Sequence, residues 1–184
     1  MKVYFSGAHS TGKSTLARYC SEKYNLPLLT EVARSILSEK ELQVDSLRSD
    51  LDVVDDYQRS IFHRQLAEEN KLNNCFVADR SIIDCLSYSA QHSRILPELL
   101  SSPELLHYKA NLQASGSILF FVRPSKATLA SDGVRESLNW DAIISIDAQI
   151  KFLLQMWEIP HFQINMDSLQ ERALFIDNII KLYR

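Results

Sequence analysis

Short apolar runs alternate along this chain with longer segments of helical periodicity. The runs are KVYF (2–5), LPLL (26–29), CFVAD (75–79), SILFFV (117–122) and HFQINM (161–166). Their length is that of strands, not helices. CFVAD and SILFFV are almost continuously apolar, as strands covered on both faces should be. LPLL is weaker, and Pro27 suits the start of a strand. Between the runs, Leu51, Val54, Tyr57, Ile61 and Phe62 fall on one helical stripe. Ile143, Ile146, Ile150, Leu153, Leu154 and Trp157 form a second. Leu169, Leu174, Ile176, Ile179 and Ile180 predict a closing C-terminal helix. Strands separated in this way by helices predict an α/β fold with a parallel sheet covered on both faces.

Segment 124–139, PSKATLASDGVRESLN, has little apolar content and carries one of only four glycines. It predicts a short lid, although an ordinary surface connection would have the same composition. The 184 residues fit one domain spanning 1–184. Apolar residues make up 46% and charged residues 23%, enough to bury a core without crosslinks. The net charge of −3 gives no support to an extended nucleic-acid surface. Cys20, Cys75 and Cys85 have no metal-ligand spacing and read as buried, reduced thiols of a cytoplasmic protein. No apolar run is long enough to span a membrane.

The first strand runs into Gly7-Ala8-His9-Ser10-Thr11-Gly12-Lys13-Ser14, followed by Thr15 and a helical segment. This is G-x-x-x-x-G-K-[ST] in the strand–loop–helix order that its mechanism requires. Glycines let backbone N–H groups wrap a dense negative charge, and the helix presents its positive end. Lys13 can reach β- and γ-phosphates, and the Ser14 hydroxyl can ligate Mg²⁺. His9 occupies a free position, where its backbone N–H is expected to count for more than its ring.

A phosphate loop alone does not name a reaction. No D-x-x-G follows the third strand, which ends ADRSIID, so a GTPase does not fit. The chain is also short for a ring ATPase. Asp79 ends the third strand and would stand at the sheet's carboxyl edge beside the loop, placed for Mg²⁺. Arg80 follows it, towards the phosphates. Alternatively, Asp79 caps the next helix and Arg80 makes a surface pair. TEVAR, after the second strand, puts Glu31 and Arg34 on one helical face. A carboxylate there can take the proton of an acceptor hydroxyl, with Arg34 holding the acceptor. The plainer alternative is an acidic residue favouring the helix dipole. Arg135, in the lid, can close onto the transferred group.

Together, FSGAHSTGKSTLA, LPLLTEVARSIL, DYQRSIFHRQLAEE, VADRSIIDCLSY and SDGVRES resemble the P-loop nucleoside-kinase-like ATPases. This is the group that includes ribosylnicotinamide kinase domains. The resemblance runs from Met1 to about Arg172. It implies a three-layer P-loop NTPase fold with a five-stranded parallel sheet, and transfer of phosphate from ATP to a hydroxyl. DRS is similar to the acidic-Arg-Ser element of deoxynucleoside kinases, which implies metal binding by Asp79 and phosphate contact by Arg80. It further implies Glu31 as base and Asp132, Gly133 and Arg135 as the lid motif. Gln58 and Arg59 would face the acceptor, and Arg172 the nucleotide. An ion pair between Arg59 and Asp55 is the alternative for that arginine. The lid carries fewer arginines than deoxynucleoside kinases have, which leaves the acceptor open.

Three readings follow. The first is a kinase using ATP and Mg²⁺ on a nucleoside or nucleotide acceptor. The second is a kinase acting on a hydroxymethylated base in DNA. The third is a regulatory nucleotide-binding ATPase. A homodimer is compatible with all three.

Overall fold

The computed structural model describes residues 1–30, 32–39, 50–72, 74–114, 116–126 and 140–183. The elements, in order, are β1 (Lys2–Ser6), α1 (Lys13–Tyr24), β2 (Leu28–Leu29), α2 (Val32–Glu39) and α3 (Leu51–Lys71). Next come β3 (Phe76–Asp79), α4 (Ile82–His92), α5 (Leu96–Leu100) and α6 (Pro103–Gln113). The chain closes with β4 (Ser117–Val122), α7 (Trp140–Met156), β5 (Phe162–Ile164) and α8 (Leu169–Leu182).

All strand pairs are parallel, and the order across the sheet is β2-β3-β1-β4-β5. This is the five-stranded, two-faced sheet that the apolar runs predict. Period-two alternation sends neighbouring side chains into separate cores. Val3, Phe5, Val77, Ile118, Phe120 and Val122 pack with Leu16 and Cys20 of α1 and Ile176 and Ile180 of α8. Tyr4, Ala78, Leu119 and Phe121 face a larger core formed with α3, α4, α6 and α7. Phe5 and Phe120 stack at 5.2 Å, fully buried. Burial of each such ring contributes on the order of 2–3 kcal/mol.

The periodicity holds where a helix lies flat on the sheet. Ile143, Ile146, Ile150 and Leu154 are buried along α7. It fails at three expected core positions: Leu51, Leu169 and Leu174 are exposed. Leu51 and Leu169 are the first residues of their helices, beyond the sheet's cover. Leu174 lies two positions from Ile176, on the opposite side of α8. Arg172, not leucine, fills the inner position of the first turn of that helix. Cys20 and Cys85 are buried as expected, but Cys75 is exposed just ahead of β3. Among the described residues, no helix is long and apolar enough to cross a membrane.

β1 lies between β3 and β4, and the chain departs from it in one direction and returns on the other side. The carboxyl edge at such a reversal is where open α/β sheets bind ligands. Phe5 pairs with Asp79, so the end of β3 stands beside the loop that leaves β1.

Candidate active site

The phosphate loop is shaped by contacts that local sequence only partly reveals. Gly7 has a φ of +157°, and a Cβ there would sit 2.4 Å from the Val122 carbonyl oxygen. No side chain fits. Gly12 has a φ of +89° and begins α1 without a side-chain cap. No acidic residue occupies the helix's first turn. The N-terminal amides of α1 therefore favour an anion.

Lys13 is almost fully buried inside the loop. Its Nζ donates to the Ala8 carbonyl and, at 3.4 Å, to Thr11 Oγ1. Burial and, after it, the nearby Arg80 charge lower its pKa to about 8, against the opposing pull of Asp84 and Asp79. Thr11 Oγ1 donates to the Ala8 carbonyl at 3.0 Å. From behind, Arg172 donates to the Thr11 carbonyl at 2.7 Å and to the Met166 carbonyl. Burial lowers the Arg172 pKa. In this structure Arg172 thus braces the loop's backbone.

The other brace is Asp84. One carboxylate oxygen accepts from the Gly7 amide at 3.0 Å, and the other from the Ser81 amide at 2.9 Å. Ser81 accepts in turn from the Ile83 amide, completing a capping box that starts α4. One buried carboxylate thereby joins β1, the loop and α4. Removing it leaves two buried amides without acceptors. Asp84→Ala is expected to lose about 2–4 kcal/mol of stability, measured by urea unfolding. A loss below about 1 kcal/mol would mean that Asp84 is not the clamp.

Four residues further along α4, Tyr88 meets the loop's tip. Its hydroxyl accepts from the His9 amide at 3.0 Å and lies 3.1 Å from His9 Nδ1. The Arg80 guanidinium lies 5.1 Å from the Tyr88 ring centre. Burial opposes the Arg80 charge, but Tyr88, Asp84 and Asp79 outweigh it and hold the pKa above its usual value. The Arg80 backbone has a φ of +117°. Non-glycine residues rarely adopt this, at a cost of about 1–3 kcal/mol, and it persists where surroundings enforce it.

A cleft of about 410 Å³ opens beside this arrangement. Ser14, Arg18, Asp79 and Arg80 line its loop side, and Val32, Ala33, Tyr57, Gln58, Ile61, Gln65, Cys85 and Tyr88 the rest. The Tyr57 hydroxyl donates to the Ala33 carbonyl at 3.0 Å, tying α3 to α2 across the cleft. Gln58 is buried in the wall, with Ser89 Oγ at 3.5 Å from its carbonyl oxygen. Four buried side-chain polar atoms lack a hydrogen-bond partner among the described residues, and two of them, Asp79 Oδ1 and Ser10 Oγ, stand at the end of β3 and in the phosphate loop. Such orphans in a native fold point to a ligand, ion or water. Ser14 and Asp79 share the cleft and have the oxygen donors Mg²⁺ prefers.

The structure therefore brings Ser14, Asp79, Arg80 and Gln58 to one cleft. It does not bring Arg59, which lies outside. Its guanidinium grips Glu98 at 2.8 and 2.9 Å and Asp56 at 2.7 Å on the exposed face of α3. Asp55, the partner expected from helical spacing, instead binds Arg94. Glu31, Asp132, Gly133 and Arg135 lie outside the described residues, as does the Arg34 side chain. Sequence reasoning missed Arg18, Gln65, Asp84 and Tyr88. Ser81-Ile82-Ile83-Asp84 fits the S-x-x-D capping signature, which was signal enough for Asp84.

No curated protein sequence matches the chain. Solved structures do. Deoxyadenosine kinase from M. mycoides, with dCMP and dCDP bound, matches with a TM-score of 0.70 and 14% identity, over 99% of this chain and 100% of that one. The NadR protein in complex with NAD and AMP-PNP matches at 0.69 and 18% identity, over 98% of this chain and 48% of that one. Shikimate kinase from Aquifex aeolicus matches at 0.57 and 14% identity, over 100% and 95%. At these identities the likeness establishes a shared fold, that of the P-loop kinases. Residues 2–172, from β1 into the first turn of α8, match the model of the P-loop family described as AAA domain, and the chain belongs to that family.

Proposed function

We propose that this protein is a phosphotransferase that moves the γ-phosphoryl group of ATP to a hydroxyl of a nucleoside or nucleotide-like small molecule. The observation that carries this reading is the shared cleft. Phosphate-side groups (Ser14, Asp79, Arg80) and a buried acceptor-side wall (Tyr57, Gln58, Gln65) line one space. Simple hydrolysis or nucleotide sensing needs no such second wall. A cavity of this size suits one small molecule. Three structural relatives, kinases of different acceptors and a complex with AMP-PNP, support the same reading.

The acceptor oxygen attacks the γ-phosphorus, the bond to the β-phosphate oxygen breaks, and the hydroxyl proton passes to a carboxylate. Glu31, or Asp79 if it is not committed to the metal, takes that proton. Lys13, Arg80 and Arg135 neutralise the transferring group. Ser14 and Asp79 would hold Mg²⁺, which neutralises phosphate charge when bound. The protein's own work is positioning and electrostatics.

The test is ATP turnover against a panel of nucleosides, nucleotides and hydroxymethylated DNA. Stimulation by a nucleoside or nucleotide, with a phosphorylated product, is the expected result. Stimulation by DNA alone would move the acceptor to a base, and turnover that no acceptor changes would leave a regulatory ATPase. With the acceptor found, Glu31→Gln is expected to lower kcat at least about 100-fold with little change in ATP affinity. An unchanged kcat would remove Glu31 as base.

A further inference from the structure

The strained turn at Arg80 is held from two sides. Asp84 accounts for one. The other leads away from the cleft to a buried carboxylate that the transfer chemistry does not use. Glu69 lies near the end of α3, beneath β1 and β3, and is 8% exposed. It accepts three hydrogen bonds: from Tyr4 on β1 at 2.9 Å, Gln65 on α3 at 2.8 Å and Tyr108 on α6 at 3.1 Å.

Two of those donors reach the turn. The Gln65 amide that donates to Glu69 also lies 3.5 Å from the Arg80 carbonyl oxygen. The Tyr108 hydroxyl that donates to Glu69 accepts from the Ile82 amide at 3.3 Å. Donation to Glu69 turns a hydroxyl lone pair towards Ile82. Both ends of the 80–82 turn thus lead back to one carboxylate.

We propose that Glu69 is a positioning residue for Arg80, acting through Gln65 and Tyr108, and that its ionised form is the one that holds the turn. This rests on the phosphotransferase reading for its kinetic consequence, not for its structural one. An ionised carboxylate accepts all three bonds. Gln65 and Tyr108 donate to one carboxylate oxygen and Tyr4 to the other. A proton taken up on the oxygen that Tyr4 holds must be donated, and the Tyr4 hydroxyl turns to accept it. It also removes the charge from the oxygen that Gln65 and Tyr108 share, and bonds to an ionised acceptor are about twice as strong as neutral ones. Protonation therefore weakens both tethers of the turn at once.

The charges around Glu69 can be named. Lys2 on β1 and the Tyr4, Tyr108 and Gln65 bonds favour the carboxylate, and burial opposes it more strongly. His107 of α6 lines the polar cavity of about 320 Å³ that also borders Glu69, Lys2 and Tyr108. On the cleft side, Cys85 of α4 feels the Glu69 charge. The balance raises the Glu69 pKa to about 7. The ionised form prevails above that pH and is lost as pH falls through it.

Two variants and two readouts test this. Glu69→Gln keeps the shape and removes the titration, and Tyr108→Phe cuts the bond to Ile82 and leaves the carboxylate. In the protein without acceptor, the backbone amide resonances of Arg80 and Ile82 are expected to titrate with a midpoint near 7. In Glu69→Gln the step near 7 should vanish, leaving only the change that Lys13 deprotonation imposes around and above pH 8. In Tyr108→Phe the Ile82 amide should exchange at least about tenfold faster. In turnover, both variants are expected to lower kcat about tenfold with ATP affinity kept, and Glu69→Gln should lose the rise in kcat between pH 6 and 8. Resonances that ignore pH from 5.5 to 8.5 overturn the inference whether or not an acceptor is ever phosphorylated. A native pH profile in Glu69→Gln overturns it as well. Absence of any acceptor-stimulated turnover in the unaltered protein counts against the phosphotransferase reading alone, because the amide titration still decides this one.

Discussion

Lys13→Ala is expected to lower phosphoryl transfer by about 10³-fold or more and to leave the fold intact. The ammonium is buried in the loop that would surround the β- and γ-phosphates. A charge in so dry a site interacts with phosphate far more strongly than in water. Its loss should fall on kcat, since charge on the transferred group changes as the reaction proceeds. The fold should survive for two reasons. Thr11 Oγ1 continues to hold the Ala8 carbonyl, and an expensive buried cation is removed. Acceptor-dependent turnover and thermal unfolding measured on the same sample check both halves. Near-native turnover would sink the assignment of the loop. The depressed Lys13 pKa adds a second expectation. With its pKa lowered to about 8, Lys13 is increasingly neutral in the ligand-free protein as pH rises beyond that value, and the negative charge of a bound triphosphate is expected to restore the proton. ATP binding should therefore take up a proton, and weaken, as pH rises beyond 8. Calorimetry in buffers of different ionisation enthalpy measures the uptake, and Lys13→Ala should abolish it.

What sequence could reveal divides along a physical line. SILFFV became β4 at its predicted bounds because six successive residues, nearly all apolar, have only one use in a sheet covered on both faces. LPLL shrank to Leu28 and Leu29, which pair only with β3 at the sheet's edge. The phosphate loop is legible because its geometry is local: two glycines, a lysine and a serine within eight residues. The cleft is not local. Asp84 reaches Gly7 across 77 residues, and Arg172 reaches Thr11 across 161. Such bonds depend on strand order, which periodicity does not encode. Arg59 shows the converse. Its place in a familiar-looking stretch suggested the acceptor, but one residue of helical rotation separates it from Gln58. That is about 100°, enough to turn Gln58 into the cleft wall and Arg59 out to Glu98 and Asp56.

Arg80 has two roles, and they can be separated by comparing Arg80→Ala with Arg80→Gly. The side chain supplies charge beside the loop, while the backbone occupies a conformation that glycine tolerates and alanine does not. Both variants lose the guanidinium, so both should lower transfer by about 10²–10³-fold. Their stabilities should differ in sign from the usual order. Glycine ordinarily destabilises relative to alanine by up to about 1 kcal/mol, because it frees the unfolded chain. At φ +117° alanine keeps the steric cost and glycine relieves it. Arg80→Gly is therefore expected to be the more stable of the two by about 1 kcal/mol, read from paired urea titrations. Both lose the contact with the Tyr88 ring, so that loss cancels in the comparison. If alanine proves the more stable variant, the turn is not strained and the bracing by Asp84 has nothing to enforce. If the two differ as expected but transfer is unaffected, Arg80 is a structural hinge, and the charge on the phosphoryl group must be met by Lys13 and Arg135 without it.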